Sequence, residues 1–358
     1  MKAKAADYLI YDEATGQYRS DPEQMVRDDV EKHYWKNVLF TVIKDWRLYL
    51  MLLPMLAVFV LWRYLPMYEL LGAFKSFKAN TDVKDQLFAG FANFRTLFDG
   101  TGAGSFLGVS RDFWRALRNT FLLSFYGLLF GFPMPIILAL FFNEVRSNIA
   151  RSAMQVMTYL PKFMSTVVMT SLVIMLLKQG STVSGSAPGI VSQLLVKLGL
   201  VSQQAANNGL IYDPKYFRAI YQISGIWETA GYDSIVFFAA IIAIAPTSYE
   251  AAQIDGAGKW AQMRYVVLPS ILSTIVIMLI TRIGHMLSIG YEKVLLLEND
   301  KTDAYQTAEV VATFAWHQKE GNREDLASAS EMLNNIVGML LVIGANTIAR
   351  KASNVSLY

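Results

Sequence analysis

Six apolar stretches, near residues 46–66, 119–142, 152–177, 217–245, 269–289 and 332–349, restrict this 358-residue chain more than anything else in it. Each is about as long as the roughly 20 residues a helix needs to cross a hydrocarbon core of about 30 Å. Lipid offers the backbone no hydrogen-bond partners, so every N–H and C=O in such a stretch must be satisfied within the chain. The runs are predominantly apolar, and the reading is six transmembrane helices. Hydrophobic residues make up 54% of the chain and charged residues 17%, against about 25% charged in soluble domains. The expected fold class is therefore an all-α integral membrane protein.

The same numbers exclude other classes. A net charge of +3 and no Lys/Arg-rich block give no nucleic-acid surface. The absence of cysteine removes disulfides, thiolate metal sites and cysteine nucleophiles. His33, His285 and His317 are too scattered to suggest a metal centre. Residues 1–45 form a polar tail without a short apolar core and cleavage site, so no cleaved signal peptide is expected. Within the tail, Asp21-Pro22-Glu23 reads as a helix start, and the segment through Tyr34, Trp35 and Val38 as a candidate interfacial helix. Gly131, Pro133 and Pro135 are expected to bend the second span, and Pro161-Lys162 to interrupt the third.

Between the fourth and fifth spans, residues 246–268 are polar and rich in small side chains. Thr247 or Ser248 is expected to cap a helix with Glu250 in its first turn, which Gly256 ends in a left-handed turn; Gly258 allows a second turn. Ala251, Ala252, Gly256 and Ala257 add almost no bulk, so another backbone or a groove can approach closely. Asp255-Gly256-Ala257-Gly258-Lys259-Trp260 superficially resembles a phosphate-binding loop, but Gln253 and Trp260 stand where that loop needs Gly and Ser or Thr. No nucleotide site is encoded there.

Glu250-Ala251-Ala252, then Gly256, then Val266-Val267-Leu268-Pro269 resembles the EAA loop of ATP-binding-cassette importer permeases. Further matches run from residue 44 onward, among them Tyr64-Leu65-Pro66-Met67-Tyr68, Arg118-Asn119-Thr120, Asn143-Glu144-Val145-Arg146 and Gly290-Tyr291-Glu292-Lys293-Val294. These look like the LplB-like branch of carbohydrate permeases. The resemblance implies a type I importer fold in which Glu250, Ala251, Ala252, Asp255 and Gly256 form a coupling helix seated in an ATPase subunit. It further implies a second homologous permease, two ATPase subunits that hold the ATP and Mg, an extracellular or periplasmic binding protein, an oligosaccharide substrate and a bacterial cell membrane. No cofactor, metal or catalytic residue is expected in this chain. Six spans put both termini, residues 1–45 and 350–358, on the side of the loop. Basic residues decide the orientation weakly, with Lys36, Lys44, Arg47, Arg146, Arg151, Lys259, Arg264, Arg350 and Lys351 set against Lys75, Lys78, Arg115 and Arg118; the resemblance makes the loop side cytoplasmic.

The fourth span carries Tyr221, Trp227, Glu228, Tyr232, Asp233 and Ser234 near its middle. A charge at that depth costs at least about 2.5 kcal/mol, so these groups must face a cavity or a partner. Hydroxyl-bonding groups beside aromatic rings suit a sugar pathway, and Asn119 is a further candidate that could instead cap the second span. The structural alternative is ion pairing of Arg282, beside His285 on the fifth span, with Glu228 or Asp233. An ion-coupled secondary transporter is the competing class, but it would show inverted repeats around an acidic centre. A membrane glycosyltransferase would need acidic metal-binding pairs, and the acids after Glu292 lack such spacing.

Overall fold

In a computed structural model, the described residues are 9–12, 17–20, 38, 42–76, 86–99, 108–180, 187–298 and 302–353. The chain divides into two units, Met1–Tyr68 and Glu69–Tyr358. In the first, β1 (Leu9–Asp12) pairs antiparallel with β2 (Gln17–Ser20), Leu9 opposite Ser20 and Asp12 opposite Gln17. Ile10, Tyr11 and Tyr18 are residue types that favour strands, and this hairpin precedes the stretch of the tail expected to be helical. The helix start expected at Asp21-Pro22-Glu23 lies outside the described residues.

The first span is α1 (Trp46–Phe59), which continues through a wide π turn, Val60–Tyr64, into a tighter 3-10 run, Leu65–Phe74. The whole run of 29 residues is apolar enough to cross a membrane, and none of its most apolar stretch is buried. A short α2 (Ala92–Asp99) precedes α3 (Val109–Tyr126), a wide turn at Gly127–Gly131, and α4 (Pro133–Glu144). Pro133 and Pro135 lack N–H groups for the carbonyls four residues earlier, and the backbone widens just before them. The expected third span is a bent pair: α5 (Asn148–Tyr159) runs on to Phe163, and α6 (Thr166–Leu176) leaves it at 104°. Pro161 stops the first half, and the Ser165 hydroxyl caps the second by accepting from the Val168 N–H.

Two short helices, α7 (Ile190–Lys197) and α8 (Gln203–Asn208), lead to α9 (Pro214–Ile242). This helix begins in favourable chemistry, with Asp213 accepting from the Lys215 N–H at 2.9 Å and Pro214 in its first turn. It packs along α4 and α5. Gly231 makes the α5 contact possible, because a Cβ there would sit 2.1 Å from the Thr158 carbonyl oxygen. Next come α10 (Pro246–Ile254), α11 (Lys259–Ser270) and α12 (Leu272–Gly284), the last two meeting at 62°. The chain closes with α13 (Tyr291–Glu298), α14 (Thr302–Ala308), α15 (Val311–Glu320) and the long α16 (Glu324–Ser353). Four helical runs are long and apolar enough to span a membrane, and the two bent pairs raise the number to six.

Three cores hold the second unit. At the α10 end, Ala139, Phe237, Ile241, Val267 and Ile271 join α4, α9 and α11. A second core gathers Leu123, Phe217 and Val294 around the outset of α9, and a third sets Phe113, Phe314 and Leu326 between α3, α15 and α16. Lipid tails are as apolar as leucine, so close contact rather than water exclusion stabilises such helix pairs. That explains why small residues such as Gly231 and Ala139 stand where helices touch.

Candidate functional site: a coupling loop and a divided membrane cavity

The loop after α9 is built by its backbone. Helix α10 starts at Pro246, which has no N–H to satisfy, and neither Thr247 nor Ser248 caps it; Ala245 occupies the cap position without a side-chain bond. The expected hydroxyl cap is therefore replaced by proline. At the other end Gly256 has φ +75°, its N–H donates to the Gln253 carbonyl at 3.0 Å, and Ala257 donates to Ala252 at 2.8 Å. This doubly bonded left-handed stop satisfies two orphan carbonyls and turns the chain sharply. Gln262 then donates to the Ala257 carbonyl at 2.9 Å, and Lys259 reaches Glu144 at the end of α4, at 3.2 Å.

Glu250, Ala251, Asp255 and Gly256 are exposed, while Ala252 turns inward. Sequence reasoning emphasised these small residues and passed over the large ones beside them. Ile254 is 86% exposed and Trp260 74%, two apolar side chains on a polar loop. Their signal was present as bulky residues with no apolar neighbours in sequence.

Within the membrane-spanning part, a cavity of about 300 Å³ lies between the α3 wide turn, α9, α12 and the start of α13. Tyr221 and Glu228 face it. The Glu228 carboxylate accepts from Lys293 at 2.9 Å, and the same ammonium stands 5.4 Å from the centroid of the Tyr221 ring. Beyond Gly131 a second cavity of about 200 Å³ is lined by Asp233 and Phe237. Arg282 and His285 line both cavities. The Arg282–Asp233 ion pair is looser, 3.6 Å apart, with side chains 43% and 31% exposed. The two acids thus take different cations: Arg282 pairs with Asp233, and Lys293, absent from the sequence-based pairing, takes Glu228.

The remaining candidates lie elsewhere. Trp227 and Tyr232 are exposed outside both cavities, and Tyr232 meets Phe163 edge-on at 5.8 Å. Tyr232 shares a helix face with Glu228, yet its ring turns to Phe163 and lies outside both cavities. Ser234 is fully buried and donates to the Gly231 carbonyl. Asn119 sits well inside α3, which starts at Val109, so it is not a helix cap. It is fully buried, donating to the Gln306 and Glu309 carbonyls at 3.0 Å and accepting from Arg218 at 3.0 Å. Beside it, Arg115 and Tyr305 both donate to the Glu309 carboxylate, Arg115 at 2.8 Å. Burial pushes the Glu309 carboxyl above the ordinary range in spite of these bonds. This network ties α3 to α9 and to the chain before α15.

No group of three or more His, Cys, Asp or Glu residues fit to hold a metal occurs among the described residues. A bundle of membrane helices, a divided polar cavity on one long helix and an exposed loop at that helix's end fit a solute permease. Residues 131–290 match the binding-protein-dependent transport system inner membrane component family, and the chain belongs to it. It is a non-catalytic permease subunit of an ABC importer. It is 34% identical over 330 residues to the polygalacturonan/rhamnogalacturonan transport system permease protein YteP of Bacillus subtilis, covering 92% of this chain and 95% of the relative. It is 32% identical to Protein LplB of the same organism, covering 88% and 92%. Its fold is similar to a chain of a bacterial alginate ABC transporter crystallised with its periplasmic protein bound to an alginate pentasaccharide, with a TM-score of 0.74, 37% identity, and 91% and 100% coverage.

Proposed function

We propose that this permease carries oligosaccharides across a bacterial cell membrane, forming the pathway with a second, homologous permease and receiving sugar from an extracellular or periplasmic binding protein. The exposed loop at the end of α9 carries this reading. Its left-handed stop at Gly256 presents Glu250, Ala251 and Asp255, together with Ile254 and Trp260, to the cleft of an ATPase subunit, with Ala252 packed inward beneath them. Two such ATPase subunits hold ATP and Mg; this chain holds neither. The loop and both termini then face the cytoplasm. Relatives that transport complex sugars support the substrate class.

ATP-driven closure of the ATPase pair draws the loops together. Because α11 leans on α9 through Phe237, Ile241, Val267 and Ile271, the movement reaches the helices around the cavity, and its energy enters as a shift in population between inward-open and outward-open packings. Asp233 and Tyr221 line the pathway; the Asn119 network holds its wall. The test is co-purification with the neighbouring permease and ATPase, followed by binding-protein-stimulated ATP hydrolysis. Glu250→Lys and Gly256→Arg should abolish ATPase association while membrane insertion persists. Retained association in both variants would refute the docking role, and sugar transport by this chain without any ATPase would refute the importer reading.

A further inference from the structure

The start of α3 and the short helix α2 share an exposed aromatic surface that neither the loop nor the cavities use. On α3 the exposed residues Arg111, Trp114, Arg118, Phe121, Phe125 and Leu129 stand three or four apart and so form one side of the helix. This helix opens the run Val109–Glu144, which is long and apolar enough to cross a membrane. Beyond Arg118 the exposed side is wholly apolar, as a side turned to lipid is. The same surface continues onto α2, where the Phe98 carbonyl accepts from the Ser110 hydroxyl at 2.8 Å and from the Trp114 indole N–H at 3.4 Å. The rings of Phe98 and Trp114 lie 5.6 Å apart. Back from Phe98, Arg95 and Phe91 are exposed on one side of α2, while Asn93, Thr96 and Leu97 are buried on the other, where the helix packs on α3 and α16. Phe91 is 74% exposed and Phe88, just before the helix, 78%. The backbone holds these rings out. Ser76 N–H donates to the Leu87 carbonyl and Ala89 N–H to that of Phe74, each at 2.8 Å, and the Asn93 amide donates to the Ala73 and Lys75 carbonyls at 3.0 and 2.8 Å. Aromatic rings fixed in the open by such a scaffold mark a surface that something covers.

We infer that α2 is an interfacial foot: Phe88, Phe91, Phe98 and Trp114 sink into the headgroup boundary of a phospholipid bilayer, and Arg95, Arg111 and Arg118 meet lipid phosphates. The occupant follows from continuity, because the aromatic surface runs without a break into the side of α3 that spans the hydrocarbon. Trp114 stands about 6 Å outward of Arg118 at the helical rise, the level at which indole rings collect in membrane proteins. Aromatic rings with an arginine between them are the composition of a helix that lies in the interface. Among the described residues Arg95, Arg111 and Arg118 form no ion pair, which leaves their planar donor forks for phosphate oxygens. The foot lies on the membrane face away from the α10 loop, since the far end of the same run, Glu144, pairs with Lys259. Because α2 is bonded to α3 and packed on α16, it sets the depth at which both helices sit. This inference rests on the membrane span of α3 and is independent of the oligosaccharide reading.

The chain contains no cysteine, so single spin labels can be placed through Phe88→Cys, Phe91→Cys and, as a reference within the span, Phe125→Cys. The experiment uses the complete importer, with cysteine-free partner subunits, in nanodiscs of phosphatidylcholine and phosphatidylglycerol. Molecular oxygen concentrates in lipid and a nickel chelate stays in water, so power saturation of the label with each reagent reads what surrounds it. Labels at positions 88 and 91 should meet oxygen severalfold more often than the nickel chelate, with a smaller preference than at position 125, and saturating binding protein should leave these values unchanged. Preference for the nickel chelate at both positions means a surface left in water and overturns the inference. Access to neither reagent, or loss of access when binding protein is added, means that a protein partner covers the rings and overturns it equally. Should Phe91→Cys fail to assemble, Phe88→Cys decides alone, because that side chain is 78% exposed and its loss leaves the scaffold bonds in place.

Discussion

The exposed loop that follows α9 and the cavities along the middle of α9 solve opposite problems on one helix. The loop is exposed, nearly free of internal ion pairs, and shaped by backbone: a proline start, a left-handed glycine stop and a serial bend. The cavity is shaped by side chains, two ion pairs set between neighbouring helices. Water tolerates imperfect side chains at the loop but competes for every surface contact, so geometry must come from the main chain. In the membrane interior unpaired charges are costly, so the side chains must find one another.

That contrast predicts where substitutions hurt. The largest effect should come from splitting the closed pair: Lys293→Met leaves the partly buried Glu228 without its cation, a change whose cost approaches the lower end of the ~3–5 kcal/mol seen for fully buried pairs. Thermal unfolding of the detergent-solubilised complex would show it, and adding Glu228→Leu should restore most of the loss; no recovery would mean that the pair is not what Lys293 supports. Next comes Gly231→Ala, whose Cβ would collide with the Thr158 carbonyl. Overpacking of this kind costs about 1–3 kcal/mol and should lower the melting temperature without changing ATPase binding once the protein is folded.

At the loop the effects should be smaller for stability and larger for partnership. Gly256→Ala forces a side chain into a left-handed conformation at a cost of about 1 kcal/mol, with open space around it; ATPase association should weaken more than the melting temperature falls. Smallest of all, Lys259→Ala removes an exposed contact to Glu144 worth at most about 0.5 kcal/mol. A shift of several degrees from that variant would break the distinction between the two regions.

The division also separates what was legible in the sequence from what was not. The left-handed turn at Gly256 and the interruptions at Pro133 and Pro161 follow from local chemistry, and each was readable because glycine and proline constrain the backbone wherever they stand. The six apolar runs were equally plain, although two of them fold as bent pairs. Partner choice was hidden. Glu228 has Lys293 and not Arg282 because α13 returns to the cavity after a loop, and no local pattern encodes that return. Asn119 looked like a helix start because apolarity begins there; the helix itself begins at Val109, where the residues are still polar. Tyr232 and Trp227 lie on the same helix as Glu228 but present themselves elsewhere, and only the positions of α5 and α12 decide which side of α9 is inside.

The 62° joint between α11 and α12, pinned by fully buried Ile271, has a mechanical meaning. At the helical rise per residue, α11 is a lever arm about 18 Å long and the stretch from Ile271 to Arg282 is about as long on the other side. A tilt of about 10° around such a fulcrum sweeps either tip through about 3 Å at that rise. Displacements of that size are comparable to the whole Arg282–Asp233 separation of 3.6 Å. A push too small to unpack any helix is thus amplified into a distance at which a loose ion pair opens or closes, while the tighter Glu228–Lys293 pair, at 2.9 Å, stays shut.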